Sequence, residues 1–584
     1  MTYETKPASR PIPMLVILLV VLAVHGPLLF MQLPAKTSYD TNFHIFFASH
    51  YARHWFDPWN EKWFAGFSQT TYPPLGHQVI ALFSYVMGLN MAYALVQFIA
   101  VLLVPVGVYR FARLWVDEVS ASYAALGSVF IGSLSFLVYN AGQLSTTLSA
   151  PLYLNALPYL YYFCRKGRMA DLLKGVFLAL AAACVHHVTL IFGAPLLALP
   201  TFVLAWMDAK DDPEEGAGLA VLSRAAAFAA MVVIGVFIVL LPYWVALIKH
   251  PIKQIPIPHA SRSNLATNLM IGINYFIVPY GAMILAFPFI FFRGMKVRRL
   301  RPLLAGFWFA LIFGLGGTTP IPKMLLGRAF DILTFERFTL LACMLALPMV
   351  GLLAKELIAR FPRPAILGLG IAAVMTFALT LGWSNWSPFR SIGGLNVDSA
   401  AAFLNRDGHD QYRYLTLGFG NALPKLSTSS DAPSIDGEYN SARLLPEMTS
   451  YGSAQLTSAK FFGTAGMDSL RAILQHANRY GLKYIFVHDR YYEPLLVFAG
   501  WHQIEVYDEG AITVWSKDDV PPAHKIVSDA IPAPWEGLMW GILPVGCAAL
   551  AVFFLIVMPD RKRTLITDYP VSTSEPLYAR EAHR

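Results

Sequence analysis

Apolar runs of about twenty residues recur along almost the whole of this chain, and no other feature constrains its fold as strongly. A helix needs roughly 20 mostly apolar residues to cross a bilayer. Candidate spans stand at about 13–33, 91–109, 120–140, 148–164, 171–186, 188–207, 225–248, 269–292, 302–318, 338–359, 364–384 and 536–558, roughly twelve in all. Of the 584 residues, 56% are hydrophobic and only 14% charged, too few charges to clothe a soluble protein of this length. The sequence therefore predicts an all-α polytopic membrane protein.

The net charge of +8 sits in short clusters between apolar runs, such as "RFAR" (110–113), "RKGR" (165–168) and "MKVRRLR" (295–301). That is the pattern of cytoplasmic membrane loops, and it argues against nucleic acid as a partner. The run "VIALFSYVMGL" (79–89) is apolar but short. Read as re-entrant or interfacial, it puts those loops on the cytoplasmic side, with Lys6, Arg10, Arg363 and the tail "RKR" (561–563). Both termini of this multi-pass plasma-membrane protein are then cytoplasmic, and the first apolar run is an uncleaved helix. Loop 34–90, the turn at His186 and His187, loops 249–268 and 319–337, and segment 385–534 all fall on the outer face. Four cysteines, Cys164, Cys184, Cys343 and Cys547, lie in or beside apolar runs without zinc or redox spacing.

Segment 385–534 differs from the rest. "YRYLTLG" (412–418), "LKYIFVHD" (482–489) and "AITVW" (511–515) read as strands, and "DSLRAILQHANRYG" (468–481) as a helix ending at Gly481. A C-terminal extracytoplasmic α/β domain follows. It stands between a transmembrane domain over 1–384, with its large outer loop 34–90, and a last helix at 535–558 with a tail at 559–584.

The densest polar and aromatic cluster occupies Ser38 to Gln78. Asp40 and His44 are four residues apart, as are His50 and His54, and Trp55, Trp59 and Trp63 repeat that spacing. Pro58 predicts two short helices along the outer interface, with the tryptophans as an interfacial belt. An acid such as Asp40 at the end of a span is costly without a task or a partner. His186 and His187 end the fifth span on the same face, about 100° apart around a helix. Lys323, Arg328, Asp331, Glu336 and Arg337 precede the tenth span, and cations there suit a phosphate or serve as internal salt bridges. Loop 248–264 adds Lys249, Lys253, His259 and Arg262 as a lid or a linker.

The order "YDTNFH" (39–44), "YPPLGH" (72–77), "VHHVTL" (185–190) and "FERF" (335–338), over roughly residues 10–350, resembles the C-type (GT-C) membrane glycosyltransferases. More narrowly, it is similar to the polytopic family described as "6-pyruvoyl-tetrahydropterin synthase-related, membrane domain", although no pterin chemistry is expected. The resemblance implies a GT-C-like fold and sugar transfer at the outer face. The donor would be a polyprenyl-phosphate sugar and the acceptor an extracytoplasmic glycan, lipid or protein. Asp40 matches the family's loop aspartate and would be the base, with His44 beside it as a second catalytic residue. His186, His187, Lys323, Arg328, Glu336, Arg337 and Tyr72 would bind substrate and phosphate. A second carboxylate, for double displacement, would come from Asp57, Glu61 or Glu336; direct displacement with inversion is favoured. Thr41 and Asn42 follow Asp40 where many members of the class carry a second acid. That departure weakens the case for a loop-bound divalent metal, which stays open as a cofactor, and keeps open a loss of activity. Two other classes remain: a lipid-linked saccharide transporter or flippase, and a non-catalytic scaffold with a partner-binding outer domain. The near absence of ionisable residues inside the spans speaks against transport.

Overall fold

A computed structural model describes residues 10–211, 218–251, 258–387, 395–449 and 455–560. Lys6, Lys253 and the tail cluster 561–563 lie outside the described residues. Eight helices among the described residues are long and apolar enough to cross a membrane. Their exposure sorts them. Only 11% of the most apolar window of Gly218–Val239 and of Pro362–Trp386 is buried, against 78% for Glu336–Arg360. A helix that is apolar all round yet unburied by protein needs lipid around it, whereas Glu336–Arg360 forms the centre of the bundle.

One of the eight is a continuous stretch, Met169–Lys210, of 42 residues. At 1.5 Å per residue it would run about 60 Å, twice the hydrocarbon thickness. Instead the backbone breaks at His186 (φ −162°, ψ 94°), and the chain turns back there. The sequence expectation of a turn at this pair of histidines holds. The run after Tyr72 forms the helix Leu75–Met87, too short to span, whose Tyr85 hydroxyl donates to the Ala52 carbonyl at 2.8 Å.

Loop 34–90 departs from its expected form. Thr41–Arg53 is one helix, buried from Thr41 to Tyr51. A second helix does not follow: Pro58 leads into a two-stranded antiparallel hairpin of β1 (Trp59–Asn60) and β2 (Phe67–Ser68). The tryptophans are not an interfacial belt. Trp63 is fully buried, stacks on Phe46 with ring centroids 3.9 Å apart, and donates its indole N–H to Ser427 Oγ at 2.9 Å. Trp59 is buried in the same aromatic cluster, and Trp55 donates to the Gly541 carbonyl of the last long helix at 3.0 Å.

The reason lies in the C-terminal segment. Its four strands, β3 (Arg413–Leu417), β4 (Leu482–Val487), β5 (His502–Tyr507) and β6 (Ile512–Ser516), form one mixed sheet in the order β3-β4-β6-β5. β3 and β4 are parallel, and the other pairs are antiparallel. Side chains alternate between the faces of a strand. Tyr414, Phe486 and Val514 pack with Val397 and Phe403 on one face. Leu415, Leu417, Ile485 and Val487 on the other share a core with Phe43, Phe46, Phe47, Trp59, Trp63 and Phe67 of the loop. The aromatic cluster is thus half of the sheet's hydrophobic core, and it fixes the sheet over the Asp40 end of the bundle.

Candidate functional site

Asp40 is placed by its backbone. Tyr39 N donates to the Asn140 carbonyl at 3.2 Å and Asp40 N to the Ala141 carbonyl at 3.0 Å. Gly142 allows the approach: its φ is +74°, and a Cβ there would lie 2.5 Å from Ser38 Oγ and 2.9 Å from Asp40 N. The hydroxyls of Ser38 and Thr41 pair at 2.6 Å, and Thr41 pairs with Tyr93 at 3.0 Å. Asp40 therefore takes the N-cap position of Thr41–Arg53, where an aspartate ordinarily accepts from the first helical turn. With φ −96° and ψ −5° its side chain makes no such bond, so the half-buried carboxylate is left for other use.

Its surroundings set its acidity. Burial first, and then the charge of Glu336, push the Asp40 carboxyl up to about 7, while the Arg337 guanidinium pulls the other way. Asp40 thus stands poised between acid and base near neutral pH. Glu336 and Arg337 open the helix Glu336–Arg360. Gln143, next to Gly142, donates through Nε2 to Glu336 Oε1, and Glu336 Oε2 is buried without a partner. Arg337 donates through Nη2 to Thr334 Oγ1 at 2.7 Å and through Nη1 to His186 Nε2 at 3.3 Å. A guanidinium has no acceptor, so His186 Nε2 carries the lone pair and its Nδ1–H donates to Thr189 Oγ1 at 2.7 Å. The break at His186 is what lets the ring reach Arg337. Ser149 satisfies the carbonyls left free there, donating to Ala182 at 2.8 Å and to His186 at 3.4 Å.

His44 lies one turn along from Asp40. Its Nδ1 shares a hydrogen bond with His77 Nε2 at 2.9 Å, and its ring also bonds to the Gly142 backbone. Burial holds its pKa down, to about 3, so the ring is neutral with both nitrogens engaged. Tyr72 pairs with Ser145 Oγ at 2.8 Å and packs against His77 and Tyr439. His187 turns the other way, onto the Tyr243 ring at 4.8 Å. Lys323 and Arg328 stand exposed on the turns leading to Glu336, and neither forms an ion pair among the described residues. Loop 258–264 is tied down beside them: Arg262 donates to the Leu333 carbonyl at 2.8 Å, and Phe335 N donates to Ser261 Oγ at 3.0 Å.

The structure thus gathers Asp40, His44, Tyr72, His186, Glu336 and Arg337, and leaves His187, Lys323 and Arg328 outside the hydrogen-bonded set. Of the three acids available as a second carboxylate, Glu336 acts directly on Asp40. Asp57 and Glu61 line an open cavity of about 330 Å³ with His50, His54, Lys62 and Asp431. That cavity lies at the far end of Thr41–Arg53, about 20 Å along the helix from Asp40. Sequence reasoning missed Gly142, Gln143 and the contribution of the C-terminal segment. Asn421 Nδ2 donates to the Ser38 carbonyl at 2.9 Å, and Tyr439 OH to the Thr71 carbonyl at 2.7 Å. Among the described residues no group of three or more His, Cys, Asp or Glu is gathered as a metal ion would require.

No family model matches this chain, and no curated protein does. Solved structures are similar to it. ArnT from Cupriavidus metallidurans in the apo state superposes with a TM-score of 0.52 at 13% identity, covering 88% of this chain and 99% of that one. ArnT bound to undecaprenyl phosphate gives 0.50 at 13% identity over the same shares. The arabinofuranosyltransferase AftD from Mycobacteria gives 0.51 at 14% identity, covering 88% of this chain and 40% of that one, so this chain spans less than half the length of AftD. The narrower pterin-synthase-related family is not matched and rests on the four motifs alone. At these identities the likeness is one of fold: the chain folds as the GT-C membrane glycosyltransferases do.

Proposed function

We propose that this chain is an integral membrane glycosyltransferase that moves a sugar from a polyprenyl-phosphate donor to an acceptor on the extracytoplasmic side. One observation carries the reading. A carboxyl with its pKa near 7 and no side-chain hydrogen-bond partner among the described residues shares a site with a guanidinium oriented by His186 and Thr334. The acceptor hydroxyl gives its proton to Asp40 and attacks the anomeric carbon. The bond from that carbon to the phosphate oxygen breaks, and the leaving phosphate takes the electron pair towards Arg337. Attack from the face opposite the phosphate inverts the anomeric centre. His44, with both nitrogens engaged, holds the first helical turn, while Tyr72 and Glu336 shape the acceptor side. Lys323 and Arg328 meet the headgroup of the carrier lipid, and His187 seats the outer turn against Tyr243.

The topology in this reading has twelve crossings. They are the long helices, with Met169–Lys210 counted twice, together with Met14–Phe30, Leu144–Lys166 and Arg301–Gly314. Both termini are cytoplasmic, and the sheet forms an extracytoplasmic α/β domain. Closed pairs support an enzyme over a transport path: Lys174 with Asp560 at 2.7 Å, and Asp208 with Arg299. Both stand at the end of the bundle away from Asp40.

The test uses wild type and Asp40→Asn in detergent with radiolabelled polyprenyl-phosphate sugars, following label release with and without a chelator. Release by the wild type alone supports the reading, and the chelator arm reports on metal. Equal release by both removes Asp40 from the mechanism. Binding of carrier lipid without release from any donor favours the scaffold.

A further inference from the structure

The turn 434–439 is fixed at both ends. Ser434 N donates to the Lys62 carbonyl at 2.9 Å, and Ala65 N donates to the Ser434 carbonyl at 3.2 Å. Asp436 is fully buried, accepts from Thr457 N at 2.8 Å, and faces Arg443 at 3.8 Å. Gly437 lies flat against Trp63: a Cβ there would come within 2.8 Å of the indole and 2.7 Å of Phe64. Tyr439 donates to the Thr71 carbonyl at 2.7 Å and packs on Tyr72 with ring centroids 5.2 Å apart. Glu438 lies on the turn between these anchors.

We propose that Glu438, on the turn that Tyr439 seats against Tyr72 and Phe43 of the first loop, is the acceptor-positioning acid of the site and holds a hydroxyl of the incoming acceptor. The inference rests on the transferase reading and names a residue for it. Glu438 is half-buried and makes no hydrogen bond or ion pair with any described residue. The charged groups acting on it are Asp40 from the first loop and Asp436 on its own turn, with Tyr72 and Tyr243 beyond Tyr439. Arg443 is taken up by Asp436. Burial and these two like charges push the Glu438 carboxyl well above the ordinary range, so it holds its proton to higher pH than an ordinary glutamate does. A protonated carboxyl donates one hydrogen bond and accepts another, which suits a sugar hydroxyl.

Two measurements on the full chain in detergent test this. Carbodiimide labels protonated carboxyls, and peptide mass spectrometry reads the extent at Glu438 against pH without any substrate. Labelling of Glu438 is expected to persist to higher pH than that of an ordinary glutamate, with its midpoint shifted down in Asp40→Asn, where the like charge is gone. An ordinary carboxylate midpoint, or one unmoved by Asp40→Asn, overturns the proposal whether or not the protein transfers sugar. In the transfer assay, Glu438→Ala is expected to raise the acceptor KM up to about tenfold with little change in donor binding. Glu438→Gln, which keeps a donor and an acceptor, is expected to recover most of that loss. A Gln variant as impaired as the Ala variant, or a loss confined to donor binding, overturns it. Transfer that is absent from wild type while the labelling behaves as expected leaves the acid pair standing and sinks the transferase reading instead.

Discussion

Replacing Asp40 by asparagine should make the protein more stable at the pH where it works while removing its function. The carboxyl moves from 3.8 to about 7 on folding. Three pK steps correspond to about 4 kcal/mol of penalty on the charged form, and the partial exposure of Asp40 reduces that to about 2 kcal/mol. The sign follows from proton counting. Between pH 3.8 and about 7 the folded protein holds a proton that the unfolded chain has released, so stability falls as pH rises through that window and is level above it. An asparagine has the same shape and no charge, so it escapes the loss. The variant should match wild type below pH 4 and exceed it above pH 7, by about 1–3 °C in Tm for a chain of this size. Thermal unfolding in one detergent, at one scan rate, at pH 4 and pH 8, gives the four values needed. A variant no more stable than wild type at pH 8 would refute the argument, because it would mean that the Asp40 carboxylate is solvated or ion-paired.

Glu336→Gln removes the like charge beside Asp40, so the acid limb of kcat/KM against pH should move to lower pH. Gly142→Ala puts a methyl group into the Ser38–Asp40 backbone, and a shift of about 1 Å there should cost on the order of 10²-fold in transfer rate. Arg337→Lys keeps the charge but loses the fork that His186 and Thr334 orient, so label release should fall by about 10²–10³ with donor binding largely kept. Trp63→Ala empties the centre of the shared aromatic core, a loss of about 3–5 kcal/mol. Limited proteolysis should then cut within 395–531 at protease levels that leave wild type intact.

Much of this arrangement could be read from the sequence, and the rest had physical reasons to stay hidden. The spans were legible because lipid imposes length and apolarity on each helix independently of its neighbours. The turn at His186 was legible for the same reason, since 42 apolar residues exceed one crossing. Three strands of the sheet were legible, but β5, "HQIEVY", was not. It lies at the sheet edge with His502, Gln503 and Ile504 exposed, so burial imposes no apolar face on it. The tryptophans misled because loop 34–90 looks interfacial when considered alone. Their partners, Leu415, Leu417, Ile485 and Ser427, come more than 350 residues later, and spacing carries no signal across that distance. Gly142 and Gln143 were missed because their meaning lies in a backbone approach to Asp40, not in any motif of their own.

The distribution of unmet polar groups bears on what the protein is for. At the end of the bundle away from Asp40, charges are closed in pairs: Lys355 with Asp117 and Arg293 with Glu356, each at 3.0 Å, and Lys174 with Asp560. Buried atoms without partners remain at that end too, Arg293 Nε and Arg299 Nε among them, and they recur around Asp40. Glu336 Oε2, Arg337 Nε and His77 Nδ1 are buried without hydrogen-bond partners among the described residues, and the carboxyls of Asp40 and Glu438 bond to no described residue. Each buried orphan costs about 1–3 kcal/mol, so several at one place are a sizeable burden on a marginally stable fold. A scaffold would gain by pairing them. In the transferase reading proposed above, their partners arrive with the substrates. Their chemistry, carboxyls together with a guanidinium oriented by His186 and Thr334, fits the hydroxyl and the phosphate of that proposed reaction.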